Sequence, residues 1–195
     1  SMFQNPEGYL IVSTGKGNVS FNGTDFKPLL TPNLAAEDFV TASFIDQTGS
    51  IWFGCFSGTI LVLSGNNESK MVYKAASSIS HFCESKNGLV VASTRSSGLV
   101  AIDNSKFSAQ AICADCEEQM INSAEFIDRN LLLIASNSGL YTYSFLNRKM
   151  QVVTPFASEE ITCLLLKKKR DGCWVGTKEK GVYELTFTES QSLVV

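Results

Sequence analysis

The chain has 195 residues, of which 44% are hydrophobic and 18% are charged, and its formal net charge is −3. This composition is typical of a globular chain and not of a disordered one. The acidic balance excludes a dedicated nucleic-acid binder, which needs a basic face to neutralise phosphates. No apolar run reaches the roughly 18 residues of a membrane-spanning helix, so we expect no membrane contact from this segment.

One sequence pattern occurs five times along the chain: a small residue, a glycine after a short gap, and then an alternating apolar run. In chain order the copies read IVSTGKGNVSFN, WFGCFSGTILVL, VASTRSSGLVAI, IASNSGLYTY and WVGTKEKGVYEL. The anchoring glycines are spaced by 41, 40, 41 and 42 residues; they are Gly17, Gly58, Gly98, Gly139 and Gly181. Such a fixed period is the signature of a repeat architecture.

A second landmark has the same period. A β-branched residue stands 18 to 20 positions before each of the last four glycines, at Val40, Ile79, Ile121 and Ile161. Each unit predicts a short apolar strand, a polar turn, a strand with the small residue, a glycine turn, an alternating strand and a weaker fourth strand. Four strands in about 40 residues indicate an all-β fold, the β-propeller. The glycines are expected to have positive φ.

The predicted units form a single domain and cover about 9–38, 39–77, 78–119, 120–159 and 160–195. The first unit is predicted to contain only its second to fourth strands, because the residues from Met2 to Gly8 include Pro6 and little apolar patterning. No spare C-terminal strand is left to complete that first blade. We therefore expect an open arc of a larger propeller, and self-association of the chain through its uncovered ends.

The second unit, VTASFIDQTGSIWFGCFSGTILVL, resembles the two-component regulator propeller repeat. The shared features are the β-branched opening strand, D-x-x-G, an aromatic-apolar-Gly triplet, a glycine turn and an apolar strand. The fifth unit, ITCLLLKKKRDGCWVGTKEKGVYEL, matches nearly as well. The third and fourth units depart from the pattern, with Val91 and Leu133 or Ile134 for the aromatic residue and Ser93 and Ala135 for the glycine.

The resemblance implies the periplasmic sensor region of a bacterial hybrid two-component histidine kinase. It implies a periplasmic or extracellular location, an oligosaccharide or another small ligand, and contacts with neighbouring blades of the full-length protein. The same repeat also occurs in secreted and secretion-associated proteins. We therefore expect a non-catalytic ligand-sensing or interaction propeller, with a protein-interaction scaffold as the alternative and a propeller carbohydrate-active enzyme as a third hypothesis.

Two features invite a chemical interpretation. Cys113 and Cys116 form a C-x-x-C pair, but zinc needs four ligands and a thioredoxin-like motif needs a βαβ unit, and the sequence supplies neither. A disulfide and a pair of reduced loop thiols remain as alternatives, with reduced thiols favoured. His81 is the only histidine and falls on an inner strand that lines the central channel of a propeller. It is either a ligand contact or pH-sensitive group, or a strand histidine with ordinary hydrogen bonds.

The aromatic and basic residues favour structural roles. Trp52 and Trp174 occupy the same repeat position, which predicts packing between neighbouring blades. Phe56 and Tyr9 are less constrained and are expected near an exposed rim, where aromatic rings can bind glycans. The basic run Lys167–Arg170 falls on the turn between the first two strands of its unit, which predicts a solvated hairpin with contact to an acidic surface as the alternative.

Clustered carboxylates are the remaining candidates, at Asp115, Glu117, Glu118, Glu159 and Glu160. A glycosidase needs two carboxylates at a defined separation, which the sequence does not show. A lone histidine without a nucleophile elbow does not support a serine hydrolase either. We predict no catalytic residue, no metal site and no cofactor in this segment.

Overall fold

The structure, a computed structural model, describes residues 1–5, 7–14, 16–29, 38–64, 69–103, 106, 108–113, 116, 119–187 and 193–194. These residues form strands β1 (Met2–Gln4), β2 (Leu10–Thr14), β3 (Gly17–Phe21), β4 (Phe26–Leu29), β5 (Val40–Ile45), β6 (Ile51–Cys55), β7 (Thr59–Leu63), β8 (Ser69–Lys74), β9 (Ile79–Glu84), β10 (Leu89–Thr94), β11 (Leu99–Asp103), β12 (Ser108–Ile112), β13 (Ile121–Phe126), β14 (Leu131–Ser136), β15 (Gly139–Ser144), β16 (Lys149–Ala157), β17 (Ile161–Leu166), β18 (Gly172–Thr177), β19 (Val182–Phe187) and β20 (Leu193–Val194). Within these ranges, no helix has the length and apolar character that crossing a bilayer requires.

The strands make five antiparallel sheets of four strands, and each sheet takes its strands in chain order. The first to fifth sheets are β1–β4, β5–β8, β9–β12, β13–β16 and β17–β20. The first strands of successive sheets contact one another, so β5 meets β9, β9 meets β13 and β13 meets β17. Sequential four-stranded sheets with their first strands side by side are the blades of a β-propeller, so the predicted fold is confirmed.

The first sheet contains an inner strand that we did not expect. Strand β1 has three residues and pairs antiparallel with β2, with Met2 opposite Val12 and Gln4 opposite Leu10. The prediction that this segment would not form a strand was wrong, because a free strand edge needs only a short partner to satisfy its backbone groups. Gly8 lies in the turn beyond β1, at φ +90°.

Both repeat landmarks lie where the period predicts. Strands β5, β9, β13 and β17 begin at the four β-branched residues. Each anchoring glycine has a positive φ, between 71° and 153°. At Gly58 the requirement is also steric, because a Cβ there would overlap the carbonyl oxygen of Ala75 and lie 2.7 Å from that of Ser77. This glycine therefore packs against the chain segment that leads into the third sheet.

The core lies between sheets and not within one of them. We call the face that a sheet turns towards the following sheet its forward face. The forward face of the second sheet carries Trp52 and Ile60, which pack against Phe82, Val90 and Val100 of the third sheet. Equivalent forward residues of the third and fourth sheets, Val91, Leu99, Leu133 and Leu140, pack in the same way on the fourth and fifth sheets. Each described interface is thus a copy of the previous one.

The two tryptophans differ in burial despite their shared register. Trp52 has no exposed surface, and its indole N–H donates to Asp46 Oδ2 at 2.8 Å. Trp174 is 41% exposed, so the prediction that it packs between blades was wrong for the described chain. The reason is that no described sheet covers the forward face of the fifth sheet. Cys55 and Cys173, which lie on the second strands of their sheets, are fully buried.

The burial of the free thiols predicts which cysteines can be alkylated in the folded chain. Burial raises the pKa of Cys55 to about 12 and that of Cys173 to about 11, and it raises the pKa of Cys83 well above its usual range. Cys163 is exposed. Because the thiolate is the reactive form, we expect iodoacetamide at pH 8 to modify the folded chain at Cys163 alone.

Mass spectrometry of labelled peptides checks this expectation. Unfolding in guanidinium should make all of the free thiols reactive. The Cys163→Ser variant serves as the control and should take up no label while folded. Rapid labelling of Cys55, Cys83 or Cys173 in the folded chain would contradict the buried environment of that thiol.

Candidate functional site

The candidate site surrounds His81, at the contact between the third and fourth sheets. His81 lies on the inner strand β9 and is paired across the sheet with Ser93 on β10. Its Nε2 atom is 3.7 Å from Oε1 of Glu125, which lies on the neighbouring inner strand β13. The two side chains are 32% and 25% exposed. The structure therefore places His81 on an inner strand, as predicted, and adds a carboxylate partner from the next sheet.

Three buried polar atoms of this region have no hydrogen-bond partner among the described residues: Ser80 Oγ, His81 Nε2 and Ser93 Oγ. Ser93 is fully buried. We call Ser80, His81, Ser93 and Glu125 the His81 cluster. Buried polar groups are normally hydrogen-bonded, and each exception calls for a reason. The part of the cluster that a polar ligand can reach is the exposed part of the His81 and Glu125 side chains.

The equivalent position in other sheets shows what Ser80 does differently. Thr41 Oγ1 donates to the carbonyl oxygen of Ile79, the first residue of the next inner strand, at 2.6 Å. Asn122 Nδ2 donates to Ile161 O of the following sheet at 2.8 Å. In both cases a polar side chain ties one inner strand to the next. The buried Ser80 hydroxyl makes no such bond to a described residue, so this tie between inner strands is missing at the His81 cluster.

The geometry of the cluster does not form a catalytic triad. A Ser–His–carboxylate triad places the serine on one imidazole nitrogen and the carboxylate on the other. Here Glu125 faces Nε2, and the hydroxyls of Ser80 and Ser93 make no hydrogen bond to the ring. In the described part of the chain, no group of three or more His, Cys, Asp or Glu side chains is placed to share a metal ion. The cluster can recognise a polar molecule through hydrogen bonds and charge.

The C-x-x-C pair is a disulfide between Cys113 and Cys116, directly after β12. The favoured alternative of reduced thiols was wrong, since the Cα atoms of the two residues lie 5.3 Å apart, within the range of a disulfide. Cys116 is fully buried and lies against the glycine turn at Gly98. Its sulfur is also 3.5 Å from the sulfur of Met150 on the fourth sheet. Disulfides of this kind persist in oxidising compartments.

The paired carboxylates Glu159 and Glu160 are each held by a lysine. Glu160 Oε2 accepts a hydrogen bond from Lys178 Nζ at 2.7 Å, and Glu159 pairs with Lys180. The hydrogen bond that Lys178 donates to Glu160 raises the pKa of Lys178. Carboxylates that each face a cation do not form an acid–base pair. The other predicted acidic residues, Asp115, Glu117 and Glu118, lie outside the described residues.

The remaining predicted residues are at the surface. Phe56 is 59% exposed and Tyr9 is 37% exposed, in line with a rim position. The basic run forms the turn between β17 and β18, as predicted, with Arg170 at φ +55°. Lys167 pairs with Glu184 of the same sheet, and its Nζ lies 5.4 Å from the ring centre of Trp174. Beside Phe56, Ser57 Oγ lies 2.8 Å from Thr59 Oγ1 and accepts a hydrogen bond from Lys74 Nζ at 2.7 Å, so these polar groups are bonded to one another.

Sequence reasoning missed Ser80, Ser93 and Glu125 as partners of His81. Ser80 and Ser93 could have been found from the repeat, because they occupy the positions of Thr41 and Gly54 in the second unit. Glu125 has no such signal, since its contact with His81 joins residues 44 positions apart on different sheets. Only the packing of the third sheet on the fourth brings it there.

Comparisons with known proteins establish the fold. No protein-family model matches the chain, and no curated protein matches it. A solved structure described as the "extracellular domain of the putative hybrid two component system BT3049 from B. thetaiotaomicron" is similar with a TM-score of 0.76 and 14% identity, over 99% of this chain. The corresponding domain of BT4673 from the same organism is similar with a TM-score of 0.58 and 14% identity, over 100% of this chain. The chain spans 29% and 32% of the lengths of those two structures.

Proposed function

We propose that this chain is a non-catalytic sensing or interaction propeller in the extracytoplasmic region of a bacterial two-component signalling protein. The observation that carries the proposal is the similarity of 99% of the chain, at a TM-score of 0.76, to an extracellular domain described as part of a hybrid two component system. The Cys113–Cys116 disulfide supports a periplasmic or extracellular location, because such bonds are rare in a reducing cytosol.

The His81 cluster supports ligand recognition as the role of the segment. It combines an imidazole, a carboxylate and two hydroxyls at the junction of two sheets, and three of these groups have no hydrogen-bond partner in the described part of the chain. A small polar ligand such as an oligosaccharide can reach the exposed parts of the imidazole and the carboxylate, which can form hydrogen bonds with its hydroxyl groups. In this proposal the ligand bridges the third and fourth sheets, and the signal is a change at their contact.

Ligand binding to the purified chain tests this role. We expect a ligand from a panel of oligosaccharides and small polar metabolites to raise the melting temperature, since binding to the folded state alone stabilises it. The shift should be lost in the His81→Phe and Glu125→Gln variants and kept in Glu160→Gln, which lies in the separate lysine-paired region. An equal shift in every variant would contradict the cluster as the binding site.

Signalling by the full-length protein is tested in cells. An in-frame deletion of the segment encoding these sheets should abolish a ligand-dependent change in transcription, and the His81→Phe change should weaken it. A fusion of the chain to alkaline phosphatase, which is active only outside the cytoplasm, tests the location. An exported protein whose deletion changes no transcript would favour the alternative role as a secreted interaction scaffold.

A further inference from the structure

We infer that one end of the propeller arc is a docking surface for the headgroups of an anionic lipid bilayer. The end is formed by the turns that join the first two and the last two strands of each sheet. In the third, fourth and fifth sheets, these turns and the residues beside them carry seven exposed cations that form no ion pair with a described residue: Lys86, Arg129, Arg148, Lys149, Lys168, Lys169 and Arg170. We call this set the basic end. The inference is independent of the proposed function.

The fold brings these turns together from three sheets. Within the fourth sheet, the backbone N–H of Phe145 donates to Asn130 O at 2.8 Å, which joins the two turns of that sheet. Between the third and fourth sheets, Lys86 and Arg129 line one open cleft of about 380 Å³. Strands β13 and β17 lie side by side, so the turns that follow them in the fourth and fifth sheets are neighbours. The basic end is therefore one surface and not a set of scattered charges.

The charge of the basic end opposes the charge of the whole chain. The formal net charge of the chain is −3, yet the described turns of the fourth and fifth sheets contain only two carboxylates, Asp128 and Asp171. Asp128 Oδ1 accepts hydrogen bonds from the backbone N–H groups of Asn130 and Leu131, at 2.7 and 2.8 Å. A local excess of cations of this kind raises the concentration of anions beside it.

Two of the arginines are held in a backbone conformation that costs free energy. Arg170 has a φ of +55° and Arg148 a φ of +56°, in the left-handed region. The backbone N–H of Arg170 closes its turn on Lys167 O at 2.8 Å, as Gly49 and Gly88 close the equivalent turns at 3.0 Å. Glycine adopts this conformation without steric cost, whereas arginine does not. A strained residue retained in this way points to a function of its side chain.

The composition of the basic end favours a bilayer over an acidic protein as its partner. Four of the seven cations are lysines, which are depleted in protein–protein interfaces, whereas clusters of about four to eight Lys or Arg residues bind anionic lipids. Leu146 lies in the same turn as Arg148 and is 80% exposed. An apolar side chain flanked by cations can enter the interfacial region of a bilayer while the cations contact the phosphates.

A surface contact of this kind needs no membrane-spanning segment. The inference therefore replaces the expectation of no membrane contact, which considered only the length of the apolar runs. It also differs from an acidic contact of the run Lys167–Arg170 alone. Lys167 is paired with Glu184, whereas Arg148 and Lys149 join the surface from the neighbouring sheet.

Co-sedimentation of the untagged chain with lipid vesicles tests the inference. We expect binding to vesicles of equal parts phosphatidylglycerol and phosphatidylcholine and none to phosphatidylcholine alone. High salt should release the chain, because the potential of an anionic surface decays within a Debye length. Combining Lys168→Gln with Lys169→Gln should weaken binding about 25-fold, since each cation near such a surface contributes a factor of about five. Leu146→Ser should weaken it several-fold.

The Arg170→Gly variant separates lipid binding from folding. It should weaken vesicle binding about five-fold. Its melting temperature should be unchanged or higher, because glycine relieves the left-handed strain. Arg95→Gln is the matched control, since Arg95 is an exposed cation in the turn between β10 and β11 at the opposite end. This control should bind vesicles like the unchanged chain.

Three results would overturn the inference. One is equal sedimentation with the two kinds of vesicle. Another is equal binding to anionic vesicles by the unchanged chain, the lysine double variant and Arg170→Gly. The third is binding to polyglutamate, lost in the lysine double variant, by a chain that does not bind anionic vesicles, which would assign the basic end to an acidic protein.

Discussion

The Trp52→Ala variant is expected to lose about 3–5 kcal/mol of unfolding free energy, as large-to-small changes in a packed core do. Trp52 is fully buried between the second and third sheets, and its removal also leaves Asp46 Oδ2 without the indole donor. The matched change, Trp174→Ala, occupies the same register on a face that no described sheet covers. Trp174→Ala should lower the unfolding free energy by about 1 kcal/mol or less, because the side chain is only partly buried.

Urea denaturation followed by circular dichroism measures both variants. The difference between the two tryptophans should appear as a shift of the transition midpoint at an unchanged slope. A loss in Trp174→Ala equal to that in Trp52→Ala would show that the forward face of the fifth sheet is covered in solution. The Trp52→Phe variant keeps an aromatic ring but lacks the indole N–H, so it separates the hydrogen bond to Asp46 from most of the packing, and it should lose only a minor part of what Trp52→Ala loses.

The second large effect is expected at an anchoring glycine. Gly58 and Gly181 have nearly the same backbone conformation, with φ of +87° and +80°. Alanine at either position should cost about 1–2 kcal/mol for the left-handed conformation. At Gly58 the new Cβ would also strike the carbonyl oxygens of Ala75 and Ser77, whereas at Gly181 it would meet no atom within 4 Å. Overpacking against backbone adds about 1–3 kcal/mol, so Gly58→Ala should be the more destabilising.

The same denaturation experiment compares the two glycine variants. Because their backbone strain is nearly equal, the difference between them reports the contact of the Gly58 turn with the segment leading to the third sheet. Equal losses of unfolding free energy at the two positions would mean that the segment leading to the third sheet shifts away from the new Cβ at no energetic cost. A smaller loss at Gly58 than at Gly181 would contradict the close approach seen in the structure.

Features that repeat within each unit could be read from the sequence. The start of β5 at Val40 and of β17 at Ile161, and the positive φ of Gly58 and Gly181, follow from local patterns. A glycine at a turn and an alternating strand express backbone preferences that act over a few residues. Their recurrence every 40 residues or so made the signal reliable, because each unit tested the others.

Contacts between sheets could not be read in this way. The pairing of β1 with β2 depends on a free edge more than on the propensity of Met2–Gln4. The contact of His81 with Glu125 depends on where the third sheet meets the fourth sheet. The disulfide between Cys113 and Cys116 depends on how the chain leaves the third sheet. The contact of His81 with Glu125 and the disulfide are not repeated in the other described units, so the period gives no information about them. The β1–β2 pairing is repeated in every other sheet, but Met2–Gln4 lacks the apolar pattern of the other first strands.

The two tryptophans show the difference between what the repeat pattern predicts and what the packing of the sheets decides. The sequence by itself determined the propeller fold, the strand order and the equivalence of Trp52 with Trp174, because all of these follow from local pattern and period. Only the tertiary structure decided that Trp52 is buried and Trp174 is 41% exposed. The physical reason is that burial depends on the neighbour a side chain meets, and in this fold the neighbour is another sheet about 40 residues away in the chain.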